Sequence, residues 1–244
     1  AFQGPVSLPV LQRLCRDGAE RKALDELGKF HHTPIHVGDI EILASRTGYS
    51  GASVGFELFV HPDHALELWE KLLAEGEKEG VKPCGLASRD STRTEAGFPL
   101  YGHELSGKYD MTPRQAGYGG FVKKHKPFFI GKAPLMAKNN ERKQKAVRFQ
   151  MKRKGIRMVR PDDPVVSRKG VCVGYVTSCV LIEKTQLGLA LVDEAHTEEG
   201  SEFGVFILPK RNADQGEKAR AHMEVGDRVL LHEDGVILPR FASF

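Results

Sequence analysis

One carboxylate, Glu57, stands among apolar residues in the stretch SRTGYSGASVGFELFV, residues 45–60. If the resumed run FELFV is a strand, Phe56, Leu58 and Val60 point to one face and Glu57 and Phe59 to the other. The turn before it is rich in Gly and Ser and lets backbone approach closely. Tyr49 adds an aromatic face and a hydroxyl, and ionised Glu57 is a bidentate acceptor. Such a group suits a flat heterocycle with adjacent N–H donors. A pterin, with its N3–H and 2-amino group, is one. The same residues also make an ordinary solvent-facing strand position, where most strand carboxylates lie.

A second stretch, GLASRDSTRTEAGFPLYGHEL at 85–105, places Arg89 and Arg93 four residues apart on one helical face. Arginine near a helix N-terminus can clamp a carboxylate or a phosphate. It can equally form a structural ion pair, here with Asp90, Glu95 or another carboxylate. Tyr101, Gly102, His103 and Glu104 follow as a polar loop expected at the surface. His103 beside Glu104 has the form of a base and its orienter, but spacing supplies no third catalytic partner. Cations crowd into residues 123–160 as KKHK, KNNERKQK and MKRKGIRMVR. Aromatic interleaving there is thin (Phe128, Phe129, Phe149), so a solvated face is expected rather than a nucleic-acid platform.

The elements that must position these residues follow from hydrophobic periodicity. Residues 6–27 read as helical with a polar break at RDG, and TPIHVGDIEILASR as a strand pair turning at Gly38 and Asp39. Pro62 suits a first helical position, and Ala65, Leu68, Trp69, Leu72 and Leu73 form one stripe ending at Gly76. VKPCGLASR reads as a short strand running into a helix at about 88–96, stopped by Gly97 and Pro99. From about residue 145 short strands recur: AVRFQM, DPVVS, GVCVGYVTSCV, LGLALV, FGVFIL and DRVLLHEDGVIL. They suggest a barrel or sandwich. Residues 211–227 read as an exposed polar loop. The fold class expected is α+β, a mixed α/β region followed by an antiparallel β-barrel-like domain. The domains expected are residues 1–125 and 140–244.

Composition excludes several classes. The 244 residues carry 36 Lys and Arg against 32 Asp and Glu, a net charge of +4 that does not argue for nucleic acid. Cys15, Cys84, Cys172 and Cys179 form no CxxC pair, so neither a metal site nor a disulfide framework is expected. No apolar run reaches the roughly 18–20 residues that span a bilayer. No signal peptide opens the chain, and a reducing, cytoplasmic location is expected. Walker, GxSxG and HExxH motifs are absent, as is a GxGxxG following a strand.

Taken together, the motifs resemble the T-protein family of the glycine cleavage system, the tetrahydrofolate-dependent aminomethyltransferases. The resemblance rests on AFQGP at 1–5, SRTGYSG…GFEL at 45–58, GLASRDSTRTEAGFPLYGHEL at 85–105, TPRQAGYGGFV at 112–122, FIGKAPL at 129–135 and VGYVTS…LGLALV at 173–192. It implies that Glu57 grips the pterin ring, that Tyr49 and Arg89 belong to the same folate site, and that Phe98 and Tyr101 contribute to it. The reaction implied is transfer of a one-carbon unit to tetrahydrofolate from a small donor, or from the lipoyl arm of a carrier protein. Two alternatives stay open: a tetrahydrofolate-dependent demethylase and a non-catalytic folate-binding module.

Three departures from the family pattern stand out. The turn GYSGASVGFE is one residue longer than the usual form and lacks its acidic pair. A position that is often tryptophan falls at Gly120. The N-terminal portion, with the aspartate thought to assist transfer, has no counterpart. The chain therefore reads as the C-terminal two-thirds of such a protein, to be completed by a missing segment or subunit, and no catalytic residue is assigned.

Overall fold

Alternating apolar and polar residues build the first sheet. The computed structural model describes residues 1–207, 223–229 and 232–242. Strands β1 (Phe2–Gln3), β2 (His32–Val37), β3 (Ile40–Ser45) and β4 (Gly55–Val60) pair antiparallel in the order β1-β4-β3-β2. Period two sends Ile35, Val37, Ile40, Ile42, Ala44 and Phe56 into the core. The expected division of β4 holds: Phe56, Leu58 and Val60 face that core, while Phe59 is exposed.

Helices α1 (Ser7–Leu14) and α2 (Gly18–Asp25) supply Val10, Leu11 and Leu24 to the same cluster. The polar break between them is a cap. The Asp17 carboxylate accepts the N–H groups of Ala19 at 2.9 Å and Glu20 at 3.0 Å. Pro62 opens a tight turn, Pro62–His64, that leads into α3 (Ala65–Gly76), whose Leu68 and Leu72 complete the cluster.

The strand expected at VKPCG does not form. Residues 81–85 pair with no strand. Pro83 offers no ladder donor, and only Val81 packs on the core. Helix α4 begins at Leu86 and runs to Ala96. Gly97 ends it at φ +87°, and a side chain there would overlap the Arg240 carbonyl.

The chain divides into two compact units inside α4. The first is residues 1–92, and the second begins at Arg93. In the second unit, helix α5 (Lys132–Glu141) occupies a stretch where the apolar pattern gives no helical stripe. Six strands follow: β5 (Gln144–Met151), β6 (Pro164–Val166), β7 (Cys172–Ile182), β8 (Thr185–Asp193), β9 (Glu202–Val205) and β10 (Glu233–Leu238). They close an antiparallel barrel in the order β10-β5-β8-β7-β6-β9. Val147, Phe149, Met151, Val165, Val176, Val192, Phe203 and Ile237 fill it, and the rings of Phe149 and Phe203 meet edge to face at 5.4 Å.

Of the loop expected at 211–227, residues 211–222 lie outside the described residues. Its end runs beside β7, where the Cys172 N–H donates to Asp227 O at 2.7 Å and the Tyr175 hydroxyl to Met223 O at 2.7 Å. Among the described residues no helix is long and apolar enough to cross a membrane.

Candidate functional site

Glu57 leaves the sheet on the face opposite the helices. Its Cα partner across the ladder is Ser45, and neighbouring Phe56 is buried in the core, so the alternation fixes the direction of the carboxylate. The side chain is half-buried. Thr47 Oγ1 donates to Glu57 Oε2 and lies 3.2 Å from Ser45 Oγ. Glu57 Oε1 accepts no hydrogen bond among the described residues. A carboxylate offers about four lone-pair sites, so most of its acceptor capacity is open.

Tyr49 sits in the turn between β3 and β4. The Arg89 guanidinium carbon lies 5.8 Å from the centre of its ring, within cation–π range. Arg89 is the fourth residue of α4 and is exposed, so its donors reach solvent. The first unit therefore holds an acceptor edge at Glu57 and an aromatic face next to a cation at Tyr49 and Arg89.

The turn itself is held by Gln3, whose importance was not evident from spacing. Gln3 Nε2 donates to Thr47 O at 3.2 Å and to Phe56 O at 3.1 Å. Ser50 Oγ donates to Gln3 Oε1 at 2.9 Å. The only sequence signal for Gln3 was its place in AFQGP.

Arg93 is not part of an exposed clamp. It is 2% exposed and its partner Glu104 1%. Arg93 Nη1 lies 3.2 and 3.1 Å from the two Glu104 oxygens, and Nη2 donates to Ser178 Oγ at 3.0 Å. Glu104 also accepts from the Ser178 hydroxyl at 2.5 Å and from the Leu100 N–H at 2.8 Å. Burial pushes the Glu104 carboxyl up, but Arg93 and these two donors outweigh it and hold it below the usual carboxylate range.

The loop at 101–104 is correspondingly not wholly superficial. Glu104 is its buried anchor, and His103 Nε2 lies 2.6 Å from Thr177 O. The structural ion pair was one of the two readings of Arg93, and the geometry selects it. Phe98 and Tyr101 belong to the second unit. The Phe98 ring is 6.0 Å from that of Phe241, and Tyr101 is exposed. Gly120 is exposed, and a side chain built there would meet nothing within 4 Å. Among the described residues no group of three or more His, Cys, Asp or Glu could hold a metal ion.

Known proteins resemble this chain over most of its length. The GCVT N-terminal domain family matches residues 1–126. An aminomethyltransferase of Alkaliphilus metalliredigens is 39% identical over 216 residues, covering 86% of this chain and 56% of that protein. The chain belongs to the glycine cleavage T-protein family.

An aminomethyltransferase of Caldanaerobacter subterraneus subsp. tengcongensis is also 39% identical, over 214 residues, covering 86% of this chain and 54% of that protein. The crystal structure of glycine cleavage system aminomethyltransferase T from Bartonella henselae shares the fold, with a TM-score of 0.71 at 22% identity. It is matched over 97% of this chain and 57% of its own. The chain spans about half the length of the curated relatives it matches.

Proposed function

We propose that this chain carries the pterin-binding part of a tetrahydrofolate-dependent aminomethyltransferase. The observation that supports this most is the open acceptor edge of Glu57, held by Thr47 in the same unit as the Tyr49–Arg89 pair. Glu57 accepts the N3–H and 2-amino donors of the pterin. Tyr49 offers its ring face, and Arg89 meets a glutamate carboxylate of the folate tail. By the family resemblance Phe98 and Tyr101, in the second unit, are further candidates for folate binding. Residues 1–125 are the folate-binding region, and residues 140–244 are the barrel domain. Family membership supports the reaction class.

Tetrahydrofolate supplies the nucleophilic nitrogen that takes up the one-carbon unit. The donor is an aminomethyl group on the lipoyl arm of a carrier protein, with ammonia leaving. The side chains named here bind and orient, contributing by position rather than by covalent chemistry.

Calorimetric titration with tetrahydrofolate tests the assignment. Glu57→Ala should weaken binding by about 1–3 kcal/mol, because the pterin donors lose their acceptor in a partly buried site. Equal affinity in the parent and the variant overturns the role of Glu57.

A further inference from the structure

We infer that Gln3 is the positioning residue for Glu57, acting as a lock across the mouth of the 48–55 turn. The inference rests on the pterin-binding reading for its functional meaning and on geometry for the lock itself. Gln3 Nε2 bridges the two limbs of the turn, with Thr47 O on the entering limb and Phe56 O on the leaving limb. Its Oε1 takes the Ser50 hydroxyl from within the turn. Both bridged residues bear on Glu57: Thr47 donates to the carboxylate, and Phe56 precedes it in the chain. β1 reinforces the arrangement by pairing Gln3 with Gly55 and Phe2 with Phe56.

Two glycines record the space this amide needs. A Cβ at Gly48 or at Gly55 would overlap the Gln3 carboxamide. Neither glycine has a positive φ, so the backbone does not forbid an alanine at either, and the nearest obstruction at both is the Gln3 carboxamide. Gly48 and Gly55 of the stretch GYSGASVG therefore make room for Gln3. In this role Gln3 acts through the backbone of the turn. It sets where the carboxylate stands by fixing the backbone on either side.

The test uses Gln3→Met, which keeps length and removes the three side-chain hydrogen bonds, and Gln3→Ala. Amide hydrogen exchange over residues 47–57 should quicken by about tenfold or more in both, since an opened turn exposes its N–H groups, while α1 and α2 stay protected. Tetrahydrofolate affinity should fall by about tenfold in Gln3→Met and should fall no further when Gln3→Met is added to Glu57→Ala, because residues acting through one group are non-additive. Gly48→Ala should reproduce the faster exchange in the parent chain and leave the Gln3→Ala chain unchanged.

Parent-like exchange at 47–57 in Gln3→Met overturns the lock. An affinity loss that adds fully to that of Glu57→Ala overturns action through Glu57. If the parent chain binds no tetrahydrofolate, the pterin reading falls, and the exchange results decide the lock by themselves.

Discussion

Arg93 Nη1 stands between both oxygens of Glu104, at 3.2 and 3.1 Å, with neither side chain open to water. A buried ion pair is worth little against an apolar replacement, but breaking it on one side is costly. Arg93→Met should destabilise the chain by about 3–5 kcal/mol in denaturant unfolding, because Glu104 is left charged and buried. Adding Glu104→Gln should recover a large part of that loss. Additive losses in the double variant would show that the two groups are energetically independent.

The same pair sets a pH dependence. Glu104 is held below the ordinary carboxylate value in the folded chain. A depressed folded pKa gives stability that is present above the unfolded value of about 4.3 and lost as pH falls through the folded one. Acid unfolding should therefore steepen below about pH 4.3, and Glu104→Gln should flatten that limb. An unchanged acid limb in Glu104→Gln would assign the transition to other carboxylates, of which Asp17, Asp110 and Glu202 are also held low.

Thr47 offers a test of the site that spares the core. Thr47→Val keeps the branched shape and removes the donor to Glu57. Stability should change by about 1 kcal/mol or less. Tetrahydrofolate affinity should drop severalfold, since the carboxylate loses the group that orients it. Equal affinity by calorimetry would mean that Glu57 orients itself without Thr47.

The hairpin between β7 and β8 turns on Glu183 and Lys184, both at positive φ, +46° and +69°. Two-residue turns of this hand favour Asn-Gly or Asp-Gly because side chains at positive φ cost about 1–2 kcal/mol each. Lys184→Gly should raise stability by about 0.5–1 kcal/mol, read as a shift in melting temperature. A lower melting temperature would show that the Lys184 side chain contributes more than its backbone costs.

The four cysteines should separate by reactivity. Burial pushes the Cys15 thiol up to about 11 and the Cys179 thiol up to about 12, and Cys172 is raised for the same reason. Cys84 is exposed. Alkylation of the folded chain at neutral pH should mark Cys84 first and the half-buried Cys179 slowly, with the buried Cys15 and Cys172 reacting only after unfolding, as mass mapping would show. Labelling of Cys172 before unfolding would reveal local opening of β7.

Local pattern carried much of the fold. The hairpin at Gly38 and Asp39, the inward set Phe56, Leu58 and Val60, and the barrel strands are all periodic in the sequence, and period is what a sheet with one buried face imposes. Helix α5 lacked such a signal: KAPLMAKNNE carries Pro134 and two asparagines and buries only Asn139. Arg89 and Arg93 look equivalent at four-residue spacing, yet only the second half of α4 is covered. What distinguishes them is Ser178, 85 residues from Arg93 along the chain. The partners of Gln3 are likewise 44 to 53 residues distant. Spacing arguments see neighbours on one element, and these contacts are made between elements.

The edges of the two sheets carry a consequence for self-association. The barrel has none, because β9 and β6 close it. In the four-stranded sheet one edge is β1, only two residues long, and the other is β2. On β2, Pro34 has no N–H to give, and the His36 N–H is already taken by the Glu20 carboxylate at 3.1 Å. β1 covers β4 only at Gly55 and Phe56, so among the described residues Glu57–Val60 meets no further strand on that side, a short stretch of open edge. Among the described residues, a foreign strand adding to this sheet would find its longest uncovered backbone beside Glu57, so edge pairing and occupation of the Glu57 carboxylate would compete for the same stretch.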